Sequence, residues 1–263
     1  MAEGSPPVLY RSGDGVAEIR FNRPQRLNAI GVEVAEGFEA AVGRALGDPS
    51  VRVVVVSAEG RAFVAGGDLS VFHTSDDKPA AASRLIRPLH RAIARLADAP
   101  VITLGSLKGA VAGAGVSIAT NLDLAIAAQD TVFNLAYARI GASPDCGASF
   151  SLPRLVGLRR ALEIALLSED IGATEALALG LVNRVVPAAE LEAETARLAA
   201  RLAAGAPAAQ GRIKRLMRQS LERDLQTQLD AEAQAFAECA ATGDFAGAVA
   251  AFLERRAPHF NGR

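Results

Sequence analysis

The chain predicts a layered α/β fold in which strands, glycine-rich turns and amphipathic helices alternate. Three observations carry that expectation. Arg52-Val53-Val54-Val55-Val56-Ser57, Val101-Ile102-Thr103-Leu104 and Leu122-Asp123-Leu124-Ala125-Ile126-Ala127 are short, nearly continuous apolar runs, the pattern of strands covered on both faces. Helical periodicity lies between such runs, which implies crossover connections and ligands bound where several strands end together. The 263 residues are half hydrophobic, enough for one large core or a core with a helical appendage.

Taken in order, the first elements are extended segments near Val8-Tyr10 and over Val16-Phe21, where Val16, Glu18 and Arg20 alternate with Ala17, Ile19 and Phe21. Val32, Ala35, Phe38, Val42 and Leu46 recur at helical spacing until Gly47-Asp48-Pro49 ends the pattern. Leu85 to Ile93 is amphipathic and carries His90, expected at the surface or a pocket rim. A helix is expected from Ala148 through Leu155. From Ala173 onward the pattern reads as almost wholly helical. Its stripes are Leu191, Thr195, Leu198 and Leu202, then Ile213, Leu216 and Leu221, then Phe245, Val249 and Phe252. Ala203-Ala204-Gly205-Ala206-Pro207 is a candidate hinge, dividing a core over 1–204 from a helical segment over 205–263.

Acidic and basic residues nearly cancel, at a formal charge of -1, and form no dense basic run. Nucleic acid and an anionic membrane surface are therefore not expected partners. The most apolar stretch, Gly109 to Ala128, is interrupted by Asn121 and Asp123 and reads as packed core rather than a bilayer span. Cys146 and Cys239 lie far apart without metal-ligand spacing, and the three histidines form no metal motif. Residues 1–7 show no basic-then-apolar targeting pattern, so a cytoplasmic location is expected.

Two runs of small residues, Arg61 to Leu69 and Lys108 to Ser117, each follow a strand and bare their backbone amides. An amide reaches a substrate oxygen only where no bulky side chain stands before it, so such turns suit stabilisation of a developing anion. Tight strand-to-helix turns would need the same residues.

Four motifs, Arg23-Pro24-Gln25-Arg26-Leu27-Asn28-Ala29, Ala62 to Leu69, Gly109 to Gly115 and Ala178-Leu179-Gly180-Leu181-Val182, stand in the order and spacing of the enoyl-CoA hydratase/isomerase (crotonase) family. The resemblance covers nearly the whole chain. It implies a crotonase-type spiral of repeated ββα units with a C-terminal helical segment that serves oligomerisation and closes the CoA site, usually in trimers or paired trimers. It also implies an acyl-CoA thioester substrate, with no cofactor beyond that CoA moiety and no metal.

Carried over by position, the oxyanion hole would be the amides of Ala65 and Ala114. Arg26, Ala29, Ala65, Gly66, Asp68, Leu69, Gly113 and Phe260 would border the CoA, and Val64, Ser117 and Tyr137 the acyl pocket. Phe252, Arg256 and Phe260 resemble the segment that closes a neighbouring subunit's site. The family's two hydratase glutamates fall at Ser117 and Tyr137, neither of which is a carboxylate here. A chain lacking both is expected to be a poor ordinary hydratase. Asp145 matches an aspartate of the isomerase branches, which include enoyl-CoA isomerases and the ring-expanding isomerases of the phenylacetate pathway. Asp145 also suits an N-cap, following a serine and a proline before a helix. A double-bond isomerase with Asp145 as base and acid is thus the favoured expectation. Weak hydration, aryl dehalogenation with Asp145 as nucleophile, and acyl-CoA binding without chemistry stay open.

Overall fold

In a computed structural model describing residues 5–262, the strands assemble into two sheets. Of the segment read for targeting, residues 1–4 lie outside the described residues. Strands β1 (Val8–Gly13) and β2 (Val16–Phe21) form an antiparallel hairpin whose turn, Asp14-Gly15, places both residues at positive φ. That is the twist a two-residue hairpin requires. Helix α1 (Val32–Gly47) leads to β3 (Val53–Ala58), and α2 (Ser70–His73) and α3 (Lys78–Asp98) lead to β4 (Ile102–Leu107). The chain then leaves this sheet for β5 (Ala110–Ala112) and α4 (Ala114–Asn121), and returns as β6 (Leu124–Ala128).

Next come β7 (Val132–Asn134), α5 (Ala148–Val156), α6 (Leu158–Leu167), β8 (Ile171–Gly172), α7 (Ala173–Leu179) and β9 (Arg184–Val186). Helices α8 (Leu191–Ala203), α9 (Pro207–Gln219), α10 (Leu225–Ala240) and α11 (Gly243–Leu253) complete the chain. The larger sheet has the order β1-β2-β3-β4-β6-β9, parallel beyond the first pair, and the smaller the order β5-β7-β8.

The apolar run of β3 is explained by its two coverings. Val54 and Val56 join Ile19, Phe21 and Phe38 of α1 in the main core, while Val53 and Val55 meet Leu191 and Leu198 of α8 on the other face. Phe21 stacks on Phe38 at 5.3 Å between ring centroids and meets Phe63 edge-on at 5.8 Å, which ties the first glycine turn to the core. The polar member of the α8 stripe, Thr195, donates to Ser106 Oγ at 3.0 Å.

From Ala173 onward the chain is almost wholly helical, as expected, apart from Arg184–Val186, which closes the edge of the larger sheet against β6. The second and third stripes depart from their reading, because they do not face this chain's core: Ile213 and Leu221 are exposed, and Phe252 is 83% exposed. Helix α9 instead turns Gly211 and Lys214 inward. A β-carbon at Gly211 would come within 2.7 Å of Pro100, so only glycine permits that approach. Lys214 donates to Leu96 O at 2.7 Å and Val101 O at 2.9 Å and pairs with Asp123 at 2.9 Å, so its ammonium is fully bonded. Helix α10 buries none of its residues in this chain. Among the described residues no single helix is long and apolar enough to cross a membrane.

Candidate active site

The two glycine turns meet. A β-carbon on Gly113 would stand 3.5 Å from Gly66 Cα, and Val64 bridges Val111 of β5 in parallel register. Gly109, at φ +53°, allows the departure from β4, because any side chain there would collide with Arg61 O at 2.0 Å. A β-carbon on Gly115 would likewise stand only 2.3 Å from Val64 O. Small residues therefore bring the start of α4 onto the first turn. The buried Asn28 organises that turn from outside, accepting from Arg23 N at 2.7 Å and donating to Glu59 O and Ala62 O at 2.9 Å each.

One expected donor is corrected by this pairing. The Ala65 amide donates to Leu27 O at 3.1 Å, so it is not open to a ligand. One residue on, Gly66 O accepts from Ile30 N at 2.9 Å. The N–H of a trans peptide points opposite its own carbonyl, and the described residues contain no cis peptide, so the Gly67 N–H points away from Ile30. Among the described residues it has no backbone acceptor. Ala114 is the first residue of α4, where an amide has no partner within the helix. The two unpartnered amides flanking the turn contact are thus those of Gly67 and Ala114. Small-residue composition marks the turn but not which peptide faces outward, which the pairing with Ile30 decides.

Beyond Ala114 a polar chain runs away from the turns. Ser117 lies one helical turn along α4, about 4.5 Å by the helix rise. Its Oγ is 3.1 Å from the Tyr137 hydroxyl, and that hydroxyl donates to Asp145 Oδ1. The single Tyr137 proton faces a carboxylate, which when ionised only accepts, so the order of donation runs Ser117 to Tyr137 to Asp145. Burial, then the charge of Asp145, push the Tyr137 phenol well above the ordinary phenol range. Tyr137 is therefore a standing donor and not a proton source near neutrality. Burial likewise raises the Cys146 thiol, followed by the neighbouring Asp145 charge.

Asp145 does not cap the following helix. Gly147 is the N-cap of α5, with no side-chain bond, and only the Asp145 carbonyl accepts, from Ala148 N at 3.1 Å. The turn is held from two other helices. Cys146, at φ +50°, donates its amide to His90 Nε2 of α3 at 3.1 Å, and its carbonyl accepts from Asn121 Nδ2 of α4 at 3.1 Å. A non-glycine residue at positive φ is costly and persists where its surroundings hold it.

The remaining expected site residues are distributed unevenly. Val64 is buried within the contact between the turns, and Gly66 and Gly113 form that contact. Ala29 accepts from Arg23 Nη1 at 3.4 Å, and Asp68 Oδ2 is 3.7 Å from the same guanidinium. The Ser70 hydroxyl bond to Asp68 lowers its carboxyl pKa, and the Arg23 and Arg26 charges add to this. Arg26 and Leu69 are exposed beside that turn, and among the described residues Arg26 has no ion-pair partner. Phe260 is not part of this constellation within one chain. Its carbonyl lies 3.5 Å from Arg52 Nη1, ahead of β3, whereas the glycine turn follows the other end of that strand. Among the described residues no group of three or more His, Cys, Asp or Glu could hold a metal ion.

A two-sheet α/β fold with this turn-to-helix contact defines a crotonase-fold protein. The chain belongs to the enoyl-CoA hydratase/isomerase family, whose model matches residues 11–263. A Rhodobacter capsulatus protein named "Probable enoyl-CoA hydratase" is 38% identical over 97% of this chain and 98% of its own length. The Escherichia coli 1,2-epoxyphenylacetyl-CoA isomerase is 33% identical over the same shares. The crystal structure of an enoyl-CoA hydratase from Polaromonas sp. JS666 superposes with a TM-score of 0.92 at 32% identity, over 97% of this chain and 99% of that one.

Proposed function

We propose that the protein is an enoyl-CoA isomerase that moves a double bond from the β,γ to the α,β position of an acyl-CoA thioester. The observation that carries the reading is the line Ser117, Tyr137, Asp145, in which one carboxylate stands where hydroxyls occupy both hydratase positions. Hydration in the family's usual manner needs two acid/base groups, whereas shuttling one proton needs one.

The thioester oxygen docks on the Gly67 and Ala114 amides. Asp145 removes a proton from the α carbon, and the C–H electron pair moves into the carbonyl to give an enolate conjugated with the β,γ double bond. The two N–H groups stabilise that negative charge, and losing one such donor costs about 3 kcal/mol. Protonated Asp145 then gives the same proton to the γ carbon, the carbonyl re-forms, and the double bond rests between α and β. Tyr137 occupies one carboxylate oxygen throughout and leaves the other for substrate. Asp68, Arg23 and the exposed Arg26 beside the first turn suit the CoA end, and a homotrimer or paired trimers would cover the exposed apolar faces of α10 and α11.

The test is proton NMR in deuterated buffer with a β,γ-enoyl-CoA and its α,β isomer, comparing the wild type with Asp145→Asn. Isomerisation or α-proton exchange that falls at least a hundredfold in a folded Asp145→Asn variant is the expected outcome. Hydration surviving in both proteins would overturn the reading in favour of a hydratase. Tight binding with no exchange would leave a non-catalytic acyl-CoA-binding subunit.

A further inference from the structure

His90 is an exposed residue midway along α3, yet its Nε2 accepts the Cys146 amide at 3.1 Å. A ring nitrogen accepts only when it carries no proton, so this bond requires Nε2 to be bare and the ring hydrogen to sit on Nδ1. On the far side of the same residue, Asn121 Nδ2 holds Cys146 O at 3.1 Å and Ser117 O at 2.8 Å. Cys146 is therefore gripped at both backbone polar groups, by side chains from two different helices, in a conformation that L residues rarely adopt. Gly147 follows at φ +82°, and a β-carbon there would press on Asn121 Nδ2 at 2.8 Å. The residue before this grip is Asp145.

We propose that His90 is a positioning residue, acting with Asn121 as a two-point clamp on Cys146 that aims the Asp145 carboxylate at Tyr137 and at substrate. Without the His90 acceptor the Cys146 amide faces no partner, and Cys146 relaxes toward negative φ. That rotation swings the preceding peptide and with it Asp145. Misplacement of a reacting group by about 1 Å costs up to a hundredfold in rate.

The clamp is independent of the isomerase reading, although its kinetic consequence rests on it, so the experiment reads both. Long-range nitrogen–proton NMR of histidine-labelled protein should find His90 protonated at Nδ1 and bare at Nε2. His90→Ala should slow α-proton exchange at least tenfold at unchanged KM. His90→Gln places a neutral carbonyl oxygen at the same bond count from Cβ and should recover most of that rate. An Nε2–H tautomer would overturn the clamp, as would wild-type turnover in His90→Ala. His90→Gln as slow as His90→Ala would overturn it too, showing that His90 moves a proton itself. The expected tautomer together with a fully active Asp145→Asn would keep the clamp and remove the isomerase reading.

Discussion

Tyr137 and Asp145, eight residues apart, are joined by a hydrogen bond from the phenol to Oδ1, with Ser117 Oγ 3.1 Å behind the phenol. The donor cannot easily ionise, because burial and the adjacent carboxylate both favour the neutral ring. Tyr137→Phe keeps the ring and removes the bond. A hydrogen bond to a charged group is worth about 1.5 kcal/mol or more, so kcat should fall roughly tenfold with KM unchanged.

The same phenol has a signature in stability. Its folded-state pKa is raised, so its contribution is complete below the ordinary phenol value near 10 and is lost as pH rises toward the folded value. Between pH 9 and 11, urea unfolding of the wild type should lose stability more steeply than Tyr137→Phe. The difference is bounded by one proton, about 1.4 kcal/mol per pH unit.

The two amides can be separated by backbone chemistry. Gly67 has room for a β-carbon, whose nearest neighbour would be Leu85 Cδ2 at 3.9 Å. Gly67→Ala should therefore keep both its N–H and most of its activity. Gly67→Pro removes the N–H and should cost about a hundredfold in kcat, read by the same isomerisation assay.

Gly115→Ala tests the contact between the turns. Its β-carbon would overlap Val64 O at 2.3 Å, a backbone atom that cannot rotate away. Destabilisation of about 1–3 kcal/mol is expected by urea unfolding, together with reduced turnover as α4 shifts.

Lys214→Met tests the tie between α9 and the core. The variant strands Leu96 O and Val101 O and removes one of the cations on Asp123. Arg218 still bonds Asp123 at 2.7 Å, which places the cost near the low end for a broken buried pair, about 3 kcal/mol. A midpoint shift in denaturant at unchanged slope is the readout.

Much of the fold can be read from the chain because burial there follows simple periods. The alternation over Val16-Phe21 matches the buried Ala17, Ile19 and Phe21, and the valine run of β3 matches a strand covered on both sides. The reading fails where a polar group is the buried one. Helix α9 turns Lys214 inward on three partners, which no apolar stripe anticipates, and Ile213 of that stripe lies on the exposed side. Strand β9 has only three residues, too few to show a period.

The site was legible to the same extent. Glycines and alanines mark both turns, and Asp145 stands out as the carboxylate near hydroxyls at 117 and 137. Which amide is open depends on the bond from Ile30 to Gly66 O, a contact between segments 36 residues apart in the sequence. Asp145 resembled an N-cap because Pro144 and a helix lie beside it, yet two left-handed residues, Cys146 and Gly147, intervene and turn its side chain elsewhere.

The groups that would polarise a carbonyl and the group that would move a proton come from different stretches of chain. The former lie over 62–69 and 109–117, on turns locked together by clashes that admit only small residues. The latter arrives on the loop between β7 and α5, fastened by side chains rather than by sheet pairing. Such a division makes the chemistry exchangeable: replacement of the 137–147 loop can install a new proton-transfer group, or none, without disturbing the cradle. Diversification of this scaffold by mutation is therefore expected to be fastest along that loop, with the two glycine turns as its fixed points.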